Sequence, residues 1–254
     1  MEKIRISAVR YANTYPFIYG LTVSGFDKKA VIETDHPADC SEKLISGQSD
    51  LGLIPVATLL SLEKYYIISN YCIGADGPVR SILLLSDSEL KDINTVYLDY
   101  RSRTSVNLVK VLAKFKWSKE FRWMDTSAKF DFKGLGNREA AVLIGDQCFE
   151  YENNYKYKYD LADEWKKFTG LPFVFACWTA NKILPDDFID EFNSALTVGV
   201  ENIDKVVEHF KYVSILPDTD LKKYLTEYID FRLTEEKKKA MELFLGFLRK
   251  LESY

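Results

Sequence analysis

Short apolar runs rich in β-branched residues alternate along this chain with segments of helical period, and that alternation limits the folds open to it more than any other feature. The runs fall at residues 4–9, 30–33, 50–55, 67–72, 79–85, 96–98, 140–144 and 172–178. Each is too short for a helix and is closed by Gly, Pro or a polar break. Between them lie helical patterns. One starts near Tyr15-Pro16, with proline where a first turn tolerates it. Another opens at His36-Pro37 and stops at Gly47. In residues 104–116 the period puts Val106, Val109, Leu112 and Ala113 on one side. Residues 160–168 form an amphipathic helix ended by Gly170, residues 186–254 are mostly helix, and residues 151–159 read as a solvated loop. Strands alternating with helices predict an α/β fold.

Polar loops at 86–94 and 179–185 bracket a central α/β segment. The expected architecture is therefore two-lobed, with residues 1–88 and 180–254 forming a discontinuous first lobe and residues 89–179 the second. Two crossing strands would join them, and a hinge of that kind sets a ligand cleft between the lobes, beyond the carboxyl ends of the strands.

Composition narrows the function. The chain has 254 residues and a formal charge of −4, with charges of both signs interspersed. A nucleic-acid partner wants a basic stripe, which is missing here. An anionic ligand would need local cationic clamps, because the field of the whole molecule does not attract it. The four cysteines, Cys40, Cys72, Cys148 and Cys177, are far apart with no CxxC spacing, so buried thiols are expected rather than a disulfide framework or zinc site. Of the two histidines, His36 precedes a helix start and His209 sits in a helix, which argues against a histidine triad or metal centre. Gly134-Leu135-Gly136 lacks the continuation of a phosphate loop. No basic start followed by an apolar signal-length stretch is present, nor any membrane-length run, so the expectation is a cytoplasmic chain with no membrane span. Oligomeric state is not legible.

Polar residues just after strands face such a cleft. They are Arg10 and Asn13 after the first strand, Arg80-Ser81 beside the Gly77-Pro78 turn, Ser102-Arg103-Thr104-Ser105, and Gly145-Asp146. The hydroxyls at 102–105 would cap the helix that follows, and its free amides favour a carboxylate or phosphate, with Arg103 as a bidentate clamp. Ordinary capping with a surface arginine explains the same residues. Asn13 suits either ligand binding or an Asx turn, and Asp146 either a general base or a helix cap.

Taken in order, seven segments resemble the chorismate dehydratases of the futalosine route to menaquinone. They are Tyr11-Ala12-Asn13-Thr14-Tyr15-Pro16, Asp50-Leu51-Gly52-Leu53-Ile54-Pro55, the run from Cys72 to Ser81, Ser102-Arg103-Thr104-Ser105, Leu143-Ile144-Gly145-Asp146, Tyr159-Asp160-Leu161 through Glu164-Trp165, and the run from Thr169 to Ala176. They cover roughly residues 4–180, and the helical tail matches only in character. Two positions depart from the pattern: Ala12, where a larger apolar residue is expected, and Gln147, where a basic one is expected.

The resemblance implies a fold like the type 2 periplasmic-binding proteins and loss of water from chorismate to give 3-[(1-carboxyvinyl)oxy]benzoate, without cofactor or metal. It implies Asn13 and Ser81 as the active-site pair, with Ser102, Thr104, Ser105 and Asp146 lining the pocket. A helix start and the arginines Arg80 and Arg103 suit a substrate with two carboxylates. For the base, Asp146 and the substrate's own enolpyruvyl carboxylate both remain, and we hypothesise the latter. The sister enzyme that makes dihydroxynaphthoate, a non-catalytic solute-binding protein or sensor, and an interaction module are the competing readings.

Overall fold

The structure is a computed structural model that describes residues 3–252. Its strands are β1 (Ile4–Val9), β2 (Ala30–Asp35), β3 (Leu51–Pro55), β4 (Tyr66–Ala75), β5 (Ile82–Ser86), β6 (Thr95–Leu98), β7 (Arg122–Asp125), β8 (Glu139–Ile144), β9 (Tyr157–Asp160), β10 (Phe173–Ala180) and β11 (Asp230–Arg232). They form two mixed sheets, one ordered β11-β4-β10-β3-β1-β2 and the other β7-β6-β8-β5-β9. In the first, β1 runs parallel to β2 and β3, while β10 lies antiparallel between β3 and β4. In the second, β6 is parallel to β7 and β8, and β5 is antiparallel to β8 and β9.

The expected division of the chain is displaced by one strand at each crossing. β5, assigned by sequence to the first lobe, belongs to the second sheet; β10, assigned to the second lobe, belongs to the first. The physical reason is local. Both strands are apolar on both faces, so their composition fits either sheet, and the polar breaks at 86–94 and 179–185 are ordinary strand ends. The crossings lie one strand earlier, at turns containing Gly77-Pro78 and Gly170-Leu171-Pro172, where φ is positive at both glycines. Residues 151–159, expected to be a loop, end in the edge strand β9.

Burial follows the strand period. Leu84 and Val142 face a large core that also contains Ile6, Leu53, Trp165 and Trp178, whereas Leu83, Leu85, Ala141 and Leu143 face a smaller one with Phe132. Helix Tyr15–Val23 packs closely on helix Asp186–Val200. A Cβ on Gly199 would stand 1.6 Å from the Pro16 carbonyl oxygen and one on Gly20 2.0 Å from that of Ala195, so glycine alone allows the approach. At the start of the helix Glu235–Glu252, the fully buried Lys237 donates from Nζ to the carbonyl oxygens of Asp230 at 2.6 Å and Arg232 at 2.8 Å, tying edge strand β11 to the tail. All four cysteines are free and buried. No described helix is long and apolar enough to cross a membrane.

Candidate active site

The cleft forms where strand ends from the two sheets meet. After Val9 the chain turns through a short 3-10 segment, Ala12–Thr14, which buries Asn13 to 9% exposure. Asn13 Oδ1 accepts a bond from the Thr14 hydroxyl at 3.2 Å. Opposite, Ser81 precedes β5, and its carbonyl accepts the Gly145 amide at 2.8 Å, which joins the ends of β5 and β8. Its Oγ accepts a bond from the Tyr224 hydroxyl at 2.7 Å. Gly145 has φ of 68°, and a Cβ there would meet the Tyr11 ring at 2.7 Å, so the close approach of that ring requires glycine.

The third wall is the start of helix Thr104–Val111, after β6. Ser102 Oγ caps it by accepting the Ser105 amide at 3.1 Å. Thr104 Oγ1 accepts the Ala57 amide at 3.2 Å, reaching across to the turn after β3. The first helical turn carries no acidic residue, which leaves its positive end uncompensated. Tyr11, Asn13, Ser81, Ser102, Thr104, Ser105 and Gly145 line one cleft, closed by apolar residues including Ile73 and Phe175, with about 450 Å³ of empty space including its solvent mouth.

A profile of the family described as menaquinone biosynthesis matches residues 4–250. The chain belongs to that family. A relative from Thermus thermophilus named chorismate dehydratase is 25% identical over 219 residues, 78% of each protein. Among solved structures, protein AF1704 from Archaeoglobus fulgidus superposes with a TM-score of 0.80 at 17% identity, over 99% of this chain and 98% of that one. The CA3427 gene product of Candida albicans, described as having the generic periplasmic binding protein fold, gives 0.67 at 13% identity over 100% and 95%. The family member described here thus has the two-lobed periplasmic-binding-protein fold expected from its sequence.

Two expected clamps of the family member point elsewhere. Arg80 has φ of 63° and its guanidinium turns away from the cleft to Glu152 at 2.5 Å, between the rings of Phe149 and Tyr228. Arg103 pairs with Glu42 near the surface. Adjacency in sequence to a cleft residue does not fix side-chain direction, and each arginine finds a carboxylate partner outside. No charged side chain lines the cleft among the described residues; its polar lining consists of neutral side chains and a helix start.

Asp146 also faces another partner. Its carboxylate accepts the Ala12 amide, with oxygens at 3.1 and 3.2 Å, bridging the two sheets. Burial pushes its pKa up to about 6, against the opposing pull of that amide. The neighbouring Gln147, where a basic residue was expected, donates to Asp99 at 2.6 Å, and Asp99 is held in turn by Arg101. At one lip the Tyr11 hydroxyl meets His36 Nδ1 at 3.3 Å. Burial first, then the charges of Arg10 and Arg101, hold His36 below the usual imidazole range. Among the described residues no group of three or more His, Cys, Asp or Glu side chains could hold a metal ion.

Sequence reasoning missed Tyr11 as a wall and Tyr224 altogether. Tyr11 sits inside a motif already singled out, so its place after β1 was the available signal. Tyr224 comes from the helical tail and carried none.

Proposed function

We propose that this protein is a chorismate dehydratase, converting chorismate to 3-[(1-carboxyvinyl)oxy]benzoate and water in menaquinone biosynthesis. The reading rests on one observation: Asn13, Ser81 and the helix start at residues 102–105 share a single cleft walled by neutral donors and apolar surface. The kinship with a protein named chorismate dehydratase supports it.

Chorismate has one carboxylate on its ring and one on its enolpyruvyl ether. The proton to be lost sits on the ring carbon bearing the ether, conjugated through a double bond to the ring carboxylate. Its removal gives a delocalised anion, and departure of the adjacent hydroxyl leaves an aromatic ring. The protein must hold both carboxylates, stabilise charge as it builds on the ring carboxylate, and hydrogen-bond the departing oxygen. The capped helix start with Ser102 and Ser105 suits the ring carboxylate. Asn13 and Ser81, which line the same cleft, suit the ether carboxylate and the hydroxyl. Asp146 is engaged with the Ala12 amide rather than the cleft, which favours the substrate's ether carboxylate as the base. The cytoplasmic location expected from the sequence goes with this reading.

Incubation of the purified chain with chorismate tests it. The expected result is stoichiometric conversion to the meta-substituted benzoate, followed by ultraviolet absorbance and proton NMR. Chorismate bound but recovered unchanged would make the protein a binder or sensor instead, and the proposal would fall.

A further inference from the structure

Ser81 carries one hydroxyl proton, and where that proton points decides whether the serine can donate to a departing oxygen. The answer lies in the partner that Ser81 finds in the C-terminal tail. The Tyr224 hydroxyl donates to Ser81 Oγ at 2.7 Å. Ser81 Oγ is thus an acceptor from Tyr224, and among the described residues no acceptor is found for the Ser81 proton. The space left to that proton is the cleft that Ser81 lines.

We propose that Tyr224 is a positioning residue that fixes the Ser81 hydroxyl as a donor into the cleft. Resting on the dehydratase reading, the inference gives the departing hydroxyl its hydrogen-bond partner. The leaving oxygen takes up the proton removed from the ring carbon and departs as water, while Ser81 keeps its own proton and only polarises the bond. No proton is lost from the protein. Two features suit Tyr224 to this task. It is 2% exposed and its ring stands edge-on to Phe149 at 5.0 Å, so the phenol is held in place. Burial drives its acidity far below that of an ordinary tyrosine, so it stays a donor across the working pH range. It also gives the C-terminal tail a part in the site, through a contact spanning 143 residues of sequence.

The test compares Tyr224→Phe, Ser81→Ala and the double variant in the full chain. Tyr224→Phe keeps the ring and loses the hydroxyl. It is expected to lower kcat for chorismate about tenfold or more, with KM within about twofold, because the lost bond acts on the departing oxygen alone. The double variant should be no slower than Ser81→Ala, since the two residues act as one unit. Unchanged kcat in Tyr224→Phe, or losses that multiply in the double variant, would overturn the proposal. A second measurement needs no turnover. With 13C-labelled tyrosine, the Tyr224 hydroxyl proton should exchange slowly and show a nuclear Overhauser contact to the Ser81 methylene, and that signal should shift in Ser81→Ala. A freely exchanging hydroxyl sinks the proposal even if the protein proves to act on another substrate. Failure of the wild-type protein to dehydrate chorismate, with the NMR contact present, would count against the reaction and leave the Tyr224–Ser81 arrangement standing.

Discussion

Two helices begin beside the cleft on the second sheet, and their first residues are put to different use. Thr104–Val111 follows β6 and opens with hydroxyls, Ser102 closing the cap while Ser105 lines the cleft. Gln147–Tyr151 follows β8 and opens after an acid, whose carboxylate crosses to the Ala12 amide of the other sheet. One start presents donors to whatever enters; the other commits its charge to holding the sheets together. The difference teaches that a strand end followed by a helix start is not by itself a ligand contact, and that the partner of the first side chain decides its role.

If that contrast is right, substitutions on the donor side should cut turnover and spare stability, while those on the bridging side should do the reverse. The largest effect is expected at Asn13. Asn13→Ala should lower chorismate turnover between about 100- and 1000-fold, by analogy with loss of one well-placed donor, while the thermal midpoint moves little. Calorimetry beside a kinetic assay checks both halves. On the bridging side, Gly145→Ala should destabilise by about 2 kcal/mol, read from urea unfolding, because it combines a left-handed backbone with contact on the Tyr11 ring.

Ser102→Ala should cost about 1 kcal/mol of stability through the lost cap and weaken chorismate binding in isothermal titration. That variant straddles the contrast, and an effect on stability alone would break it. The smallest effect on chemistry belongs to Asp146→Asn, which leaves an oxygen to accept the Ala12 amide. Turnover should change by less than about threefold. Its pH signature is more telling. The Asp146 carboxyl titrates near 6 in the folded protein and at the ordinary 3.8 when unfolded, so the folded state holds the extra proton between those values. Stability should therefore fall as pH rises through that window, and the asparagine variant should remove the fall. Loss of turnover with chorismate affinity intact would instead make Asp146 the base.

The fold class was legible because each strand carries its own signal, an apolar run with a stop. The lobe boundaries were not, since β5 and β10 are buried on both faces and read alike in either sheet. The candidate site divides in the same manner. Asn13, Ser81, Ser102, Thr104, Ser105 and Gly145 follow or precede strand ends, and the chain's local geometry carries them to the cleft. Arg80 and Arg103 sit among them in sequence, yet long flexible side chains go where carboxylates hold them, at Glu152 and Glu42. Tyr224 lay beyond reach because helical period marks it only as a core residue, and its partner is a long-range one.

The place of β10 in its sheet bears on how the protein is made. β3 and β4 are successive strands, yet they do not pair; β10 inserts between them. On a ribosome, strands β1 to β4 emerge with an open slot at the centre of their sheet, and two unpaired edges wait there while the whole second sheet is synthesised. The second sheet is continuous in sequence from β5 to β9 and has every strand it needs before that slot is filled. The central third of the nascent chain is therefore positioned to fold first and to deliver β10 to the waiting edges.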